Sequence, residues 1–521
     1  MEKKWWTLLA VCGGTFMLLL DTTIVYVVMP PIQEDLHASF ADLQWVIDGY
    51  SLALASLLLT SGTLADRFGR KRLYGIGVVV FTLGSLLCGL AQSPLMLVFS
   101  RIVQGIGGSV MFATGLALLA GAFRGRELGT AFGTWGMVTG LASAIGPVAG
   151  GLITAGISWR GIFLINVPIG IAVAAIVMLR VDEAKSPFAR KLDWPGFILL
   201  TGGLAALVYG LIQAGEAGWS DSNALTFLIS GAVLLIAFLV VESRVEQPMF
   251  DLGLFRIPTF LGGAVAAFAM NGSLFAMFLF LAIYFQEVLQ YSSLETGLRL
   301  LTASVAMLLA SNVAGRLSSK LPARALIGGG LIVVGVGLLL MGNVDAETGW
   351  THFIPGFVLG GIGAGFVNPP LASTAMGVVD MSRSGMAAGT NSTFRQLGVT
   401  ASVAVLGSIF AAIIGDKLTD GLRGTPELAG RTADLTAQVR GGDIEAAVAS
   451  TPERFHEQVN ELAVSGFVDG INTLLVIGAG LALIGGVLAL LLIRAKDFVA
   501  YQQPKPAPAA DSPGQPVAAE G

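Results

Sequence analysis

Long apolar segments, separated by polar connections, run along almost the whole chain. A helix needs about 20 mostly apolar residues to cross the hydrocarbon core of a bilayer. Fourteen segments meet this requirement, with approximate limits 7–30, 44–65, 73–92, 95–120, 129–154, 161–180, 194–214, 223–241, 259–284, 295–317, 325–342, 352–376, 386–414 and 467–494. The pattern predicts an all-α integral membrane protein with 14 transmembrane helices.

The basic residues of the connections predict how these helices are oriented. Short cytoplasmic connections of membrane proteins are enriched in Lys and Arg. If the N-terminus is cytoplasmic, the cytoplasmic side holds Lys3, Lys4 and the basic run 67–72, whereas the connection 31–43 on the outside is acidic. The long connection 415–466 is predicted to be an outside loop that is partly helical around 453–463; it carries both signs of charge, but long loops do not follow the rule. We predict a multi-pass protein of the cell (inner or plasma) membrane with both termini cytoplasmic.

Composition supports this class and argues against several kinds of site. Hydrophobic residues make up 54% of the 521 positions and charged residues 12%, whereas soluble domains carry about 25% charged residues. Both cysteines lie in apolar segments, and the three histidines show no metal-ligand spacing. We therefore predict no metal, no cofactor and no nucleic-acid partner. The tail 496–521, rich in Pro and Ala, is predicted to be disordered and cytoplasmic.

Two weak internal sequence repeats predict a duplicated architecture. Residues 62–67 recur in degenerate form at 315–320, and residues 104–108 recur at 360–364, at nearly the same separation. Helical halves related by duplication are common in transporters. We predict three units and a tail: an N-terminal six-helix bundle (1–180), two inserted helices (181–254), a C-terminal six-helix bundle with its outside loop 415–466 (255–495), and the tail 496–521.

Three ionisable residues lie inside predicted spans of the N-terminal half. At 1.5 Å per helical residue, Asp21, Asp48 and Arg101 lie about 14, 6 and 9 Å from the outer ends of their helices. Ionisable residues at such depths are candidates for function. A carboxylate in poorly solvated surroundings retains its proton until an arriving cation favours its release, so it is suited to exchanging a proton for a cationic substrate. Arg101 keeps its own proton and would instead organise such a carboxylate.

Structural explanations remain open beside the functional ones. Asp48 lies near Trp45 and is equally explained as an interfacial residue. Arg101 is equally explained as a partner of backbone carbonyl groups. The thirteenth segment contains four further candidates, the polar residues Asn391, Arg395 and Gln396 and the aromatic Phe394. These residues either line a substrate cavity or form structural contacts.

Several motifs occur in an order that is typical of one transporter superfamily. The connection after the second segment reads Gly62-Thr-Leu-Ala-Asp66-Arg67-Phe-Gly69-Arg70-Lys, the fourth segment contains Arg101-Ile-Val-Gln-Gly, and the fifth contains Gly146-Pro147-Val-Ala-Gly150. The first segment contains Leu20-Asp21-Thr-Thr-Ile-Val. With these motifs the chain resembles the major facilitator superfamily, specifically its fourteen-span drug:proton antiporters.

The resemblance implies a fold and a mechanism. It implies the major facilitator fold, with two six-helix bundles, two inserted helices and alternating access to a central cavity. It implies proton transfer at Asp21 assisted by Arg101, gating by the connection motif 62–71, and export conferred by the motif of the fifth segment. Tyr26 stands where this family usually has Asn; it either lines the cavity and shapes substrate choice or packs against a neighbouring side chain.

We therefore expect a monomeric, proton-driven exporter of small amphiphilic or cationic compounds, surrounded by membrane lipids and in need of no cofactor. An exporter of lipids or endogenous metabolites with the same fold is one alternative. A membrane sensor that transports nothing is another. We find no nucleophile–base constellation or nucleotide-binding loop in the sequence, and an enzyme is not predicted.

Overall fold

The computed structural model describes residues 2–498 except for 124–125, 184–192, 246–247, 249–250, 319, 380–383, 424, 426, 429–430 and 441–443. All regular secondary structure in these residues is helical. Almost all of the predicted disordered tail lies outside the described residues.

The N-terminal part of the chain forms eight α-helices. A single 3-10 turn at Val25–Val28 joins the first two of them, so that the first span is prolonged rather than ended. The helices are α1 (Lys3–Ile24), α2 (Met29–Leu36), α3 (Phe40–Phe68), α4 (Arg70–Gly89), α5 (Pro94–Ala122), α6 (Arg126–Gly156), α7 (Gly161–Leu164) and α8 (Asn166–Arg180).

Two helices, α9 (Trp194–Ala217) and α10 (Ser222–Glu242), pack against each other at the predicted position of the inserted pair. A π-helical turn at Asn271–Phe275 links the first two helices of the C-terminal part. That part comprises α11 (Pro258–Met270), α12 (Ala276–Glu287), α13 (Ser293–Leu317), α14 (Ala323–Leu340), α15 (Ile354–Gly377), α16 (Ser384–Leu422), α17 (Thr432–Arg440), α18 (Ile444–Ala449) and α19 (His456–Leu492).

Local sequence signals account for several helix starts. Ser39 accepts a hydrogen bond from the backbone N–H of Asp42 at the start of α3, and the Asp42 carboxylate accepts one from the Ser39 N–H. Ser292 and Glu295 form the same reciprocal arrangement at the start of α13. Such a capping box satisfies N–H groups that a helix N-terminus leaves without partners.

Within the described residues, twelve helical segments are long and apolar enough to cross a membrane. Two further long helices, α3 and α6, contain 29 and 31 residues, more than the roughly 20 residues that a bilayer requires. The all-α membrane architecture is therefore confirmed. Segment 415–466, predicted as a loop, contains α17, α18 and the extended ends of α16 and α19. The predicted domain limits remain predictions.

The N-terminal helices α1–α8 and the C-terminal helices α11–α19 meet closely at the end that holds the acidic connection 31–43, here called the acidic end. The Gln44 side chain donates to the carbonyl oxygen of Val403 at 3.0 Å. The Gln286 side chain donates to the carbonyl oxygen of Val27 at 2.9 Å. Phe40 packs against aromatic rings of α12 and α16. The two groups of helices are thus joined at the acidic end by both polar and aromatic contacts.

The opposite end, here called the basic end, carries the connection motif. Gly69 has a φ of +106°, a conformation that favours glycine, and it ends α3 and begins α4. Arg70 donates to the carbonyl oxygen of Ala117 on α5 at 3.3 Å, whereas Arg67 is exposed. A Cβ atom on Gly62 would meet no described heavy atom within 4 Å. The side chain of Asp66 lies outside the described part of the structure.

Candidate functional site

A buried polar cluster, here called the Asp21 network, occupies the interior of the N-terminal helices. Arg101 Nη1 donates to Asp21 Oδ2 at 2.5 Å and to Gln104 Oε1 at 2.6 Å. The other carboxylate oxygen, Asp21 Oδ1, accepts from Gln104 Nε2 at 2.7 Å and from Asn166 Nδ2 at 3.1 Å. Gln104 Nε2 also donates to Ser85 at 2.8 Å. The network thus connects α1, α4, α5 and α8 around one carboxylate.

The charged side chains of this network are buried away from solvent and form an ion pair with each other. Asp21 is 0% exposed and Arg101 2% exposed. The guanidinium also donates from Nε to the carbonyl oxygen of Val46 at 3.1 Å and lies over the rings of Tyr50 and Phe163, 4.2 and 5.7 Å from their centroids. An ion pair in a low-dielectric interior is tolerated only when hydrogen bonds satisfy its remaining polar atoms. Here the two oxygens of Asp21 accept three such bonds.

Close helix packing positions the donors of the network. A Cβ atom on Gly84 of α4 would lie only 2.7 Å from the backbone nitrogen and the Cα of Gln104 on α5. Glycine at position 84 therefore lets the two helices approach until Gln104 reaches both Ser85 and Asp21. A larger residue at this position would separate α4 from α5 and with them the donors from the carboxylate.

The glycine motif of the fifth predicted span packs directly beside Asp21. A Cβ on Gly146 would overlap Thr23, and a Cβ on Gly150 would lie 2.9 Å from the carbonyl oxygen of Ile24. The next glycine, Gly151, faces α13 of the C-terminal group, where its Cβ would lie 2.7 Å from the carbonyl oxygen of Ser293. Helix α6 thus contacts the helix that carries Asp21 on one side and the opposite group of helices on the other.

Asp48 lies outside the Asp21 network. Its side chain is 0% exposed, and neither carboxylate oxygen has a hydrogen-bond partner among the described residues. An ionised carboxylate without donors is strongly disfavoured in an apolar interior. The sequence placed Asp48 near the surface as one of two alternatives, but in the structure its side chain is enclosed.

A small central cavity lies between the two groups of helices near the end of α1. It measures about 10 Å³, room for about one water molecule. Tyr26 and Pro147 line it from the N-terminal side. The C-terminal side contributes mainly apolar and aromatic side chains: Leu274, Phe275, Phe278, Leu300, Ala303, Ser304, Met307 and Gly361. Tyr26 therefore reaches a cavity in the interior, but this cavity is too small for a drug-sized molecule in this state.

The four candidate residues of the thirteenth predicted span lie on α16. Arg395 donates through Nη1 to the side-chain oxygen of Asn368 on α15 at 2.9 Å and through Nε to that of Asn391 at 3.4 Å. Phe394 packs against Phe255, with ring centroids 5.7 Å apart. Gln396 is partly buried.

Three side-chain amides of these sites were not among the predicted site residues. Gln104 belongs to the motif of the fourth predicted span, whereas Asn166 and Asn368 are lone amides in apolar segments. An uncharged polar residue in a membrane span is a weak signal, because it often bonds to its own helix backbone. Only the fold shows that Gln104 and Asn166 donate to Asp21.

Comparison with known proteins identifies the family. The family model described as Major Facilitator Superfamily matches residues 11–403 of this chain. A tetracenomycin C resistance and export protein of Streptomyces glaucescens is 32% identical, over 97% of this chain and 95% of that protein. The puromycin resistance protein of Streptomyces alboniger is 34% identical, over 80% of this chain and 84% of that protein. The multidrug resistance protein Stp of Mycobacterium tuberculosis is also 34% identical, over 92% and 90%.

Solved structures support the same fold. A bacterial homologue of the human lysosomal transporter Spinster, in an inward-facing and occupied conformation, aligns with a TM-score of 0.63 and 16% identity, covering 96% of this chain and 98% of that one. Its inward-facing, unoccupied form aligns with a TM-score of 0.61 and 18% identity, covering 97% of this chain and 99% of that one. The predicted fold class is confirmed, and the relatives are transporters rather than enzymes. The chain belongs to the major facilitator superfamily and is a relative of its drug-resistance exporters.

Proposed function

We propose that this protein exports amphiphilic or cationic drugs and toxic compounds in exchange for protons, with Asp21 as the proton-coupling carboxylate. The observation that carries the proposal is the Asp21 network: a carboxylate with no solvent exposure, paired with Arg101 and bonded by two side-chain amides. Drug-resistance relatives support the class of cargo. No soluble cofactor enters the mechanism, because the proton gradient supplies the energy.

Protonation of Asp21 would change the network directly. A neutral carboxyl no longer forms an ion pair with Arg101, and its new O–H requires an acceptor where Gln104 and Asn166 now present donors. The guanidinium would then lose its anionic partner in an apolar interior, which is strongly unfavourable. Proton binding therefore favours a rearrangement of α1 against α5 and α8.

Helix α6 offers a route from this rearrangement to the two groups of helices. It packs on the residues that follow Asp21 and, one residue beyond Gly150, on α13 across the interface. A shift of α1 would therefore alter the contact between α6 and α13 at the acidic end. In the proposed orientation, with both termini cytoplasmic, the acidic end is outside and the structure is closed to the outside.

Export driven by a pH gradient in proteoliposomes tests the proposal. With an imposed gradient, we expect the wild type to transport the cationic dye rhodamine 123 and Asp21→Asn to lose at least 90% of the gradient-driven rate, on the order of the loss expected for a coupling group. Asparagine keeps the size of the side chain and cannot release a proton. The measurement is dye flux with and without the gradient.

A matched control separates coupling from general damage. Asp221 caps α10 by accepting from backbone N–H groups, and asparagine is an equally good cap, so Asp221→Asn should transport as the wild type does. Equal gradient-driven flux in the wild type and Asp21→Asn would rule out the coupling role. If the wild type transports no dye, the result would favour the lipid-export or sensor alternatives.

Asp48 is proposed as a second proton-binding carboxylate. Enclosed and without donors, it would carry a proton in the state that the structure shows. We expect Asp48→Asn, which resembles the protonated form, to fold normally and to lower the number of protons moved per substrate. The measurement is simultaneous recording of dye and proton flux. An unchanged ratio at full activity would show that Asp48 takes no part in coupling.

A further inference from the structure

Arg395 is a second guanidinium within the membrane-spanning part of the protein, and its environment differs from that of Arg101. Arg101 is paired with Asp21, so the two charges compensate each other. The side-chain acceptors that Arg395 contacts are the neutral amide oxygens of Asn368 and Asn391. Among the described carboxylates, none forms an ion pair with Arg395. A buried or partly buried charge without a counter-charge is costly and is typically kept for a function.

The position of Arg395 connects it to the central cavity. Asn368, which accepts the hydrogen bond from Arg395, also approaches the sulfur of Met307 to 3.9 Å through its Nδ2. Met307 lines the cavity between the two groups of helices. On the same stretch of α16, Thr393 donates to the carbonyl oxygen of Ala55 on α3 at 3.4 Å, so this part of α16 lies at the interface of the two groups.

The donors of Arg395 are only partly used. A guanidinium has five N–H donors in a planar fork that matches the two oxygens of a carboxylate. In this structure Nε and Nη1 donate to amides, and Nη2 has no hydrogen bond to a described residue. Apolar and aromatic side chains dominate the lining of the nearby cavity, among them Phe275, Phe278 and Leu300. A ligand that suits both features has an aromatic body and an acidic group.

We propose that Arg395 is the cargo-recognition residue for aromatic acids, binding a carboxylate or an acidic phenol of the exported compound as its counter-charge. This inference rests on the proposed export function and specifies its substrate class. Asn368 and Asn391 hold the guanidinium in place, and the substrate's acid group supplies the counter-charge that none of the described carboxylates supplies. Cations without an acid group gain nothing from Arg395.

Two dyes with one ring system test the charge preference. Fluorescein is an anionic xanthene with a carboxylate and an acidic phenol, and rhodamine 123 is a cationic xanthene. Binding of each to the purified full-length protein is measured by fluorescence anisotropy. We expect Arg395→Gln to weaken fluorescein binding by about tenfold, the scale of one charge-assisted hydrogen bond, and to leave rhodamine 123 binding unchanged. Arg395→Lys, which keeps the charge, should recover much of the fluorescein affinity.

Arg299→Gln is the control for net charge. Arg299 lies on α13, where it stacks on Tyr291 and donates to its own helix backbone, and its loss should not affect fluorescein binding. The proposal is overturned if Arg395→Gln binds fluorescein as the wild type does, if it loses both dyes equally, or if the wild type binds only rhodamine 123. Failure of the export function has a different signature: both dyes bind as expected, but neither moves under a pH gradient.

Discussion

Replacing Arg101 with methionine is expected to abolish export and to lower the free energy of unfolding by about 3–5 kcal/mol, the usual cost of removing one partner of a buried ion pair. Methionine fills similar volume but leaves the Asp21 carboxylate without its cationic partner in a site with no solvent exposure. The carbonyl oxygen of Val46 and Gln104 Oε1 lose a donor as well. Thermal unfolding in detergent and dye export in proteoliposomes measure the two effects.

Two comparisons show whether the buried charge causes the loss. The double variant Asp21→Asn with Arg101→Met removes both charges, and it should recover most of the stability but none of the coupling. Arg160 pairs with Asp35 at 2.7 Å in a partly exposed position, and Arg160→Met should cost no more than about 1 kcal/mol. An Arg101→Met protein as stable as the wild type would contradict the described network.

Replacing Gly151 with valine is expected to stop transport without preventing folding. A Cβ at this position would overlap the Cα of Leu294 and approach the carbonyl oxygen of Ser293 to 2.7 Å. Backbone atoms cannot move aside as a flexible side chain does, so α6 and α13 must separate. Overpacking of this kind costs about 1–3 kcal/mol, and a cost of that size shifts the balance between two conformations by roughly one to two orders of magnitude. The state closed at the acidic end would become rare.

Accessibility measures this shift. Val28 is 0% exposed at the acidic end, and a cysteine placed there should react with a membrane-impermeant maleimide faster when Gly151 is replaced. The native cysteines, Cys12 and Cys88, are buried and contribute little labelling. Gly156, five residues further along the same helix, has no heavy atom within 4 Å of its Cβ position, so Gly156→Val is the control. Normal transport by Gly151→Val would show that the α6–α13 contact is not part of the transport cycle.

These two experiments address different steps of one mechanism. The Arg101 variants test whether the network holds a charge on Asp21, and the Gly151 variant tests whether the groups of helices must meet at the acidic end. In the proposed mechanism helix α6 connects the two steps, because its glycines face both α1 and α13. Coupling and closure are separable if each of the two variants, Arg101→Met and Gly151→Val, stops export but only Gly151→Val changes the labelling of a cysteine at position 28.

Much of the fold follows from patterns that act over one helix length. Apolar runs long enough to cross a bilayer predicted the positions of the long helices, because a membrane forces the backbone to satisfy its hydrogen bonds within each segment. The motifs predicted the superfamily, which the comparisons confirm. The sequence predicted helix in 415–466 only around 453–463, whereas the structure has helices over much of the described part of this segment. Short polar helices give a weaker signal than apolar spans.

The sequence by itself determined that Asp21, Asp48, Arg101 and Arg395 lie within apolar segments, because charge in such a segment is visible from composition alone. It did not determine which charges pair, since pairing depends on how helices are rotated against each other. The tertiary structure decided that Arg101 and two amides bind Asp21. Among the described residues it places no donor at Asp48 and only neutral side-chain acceptors at Arg395. Close approach at glycines such as Gly84 sets these rotations, and it is a property of two helices that neither sequence segment shows alone.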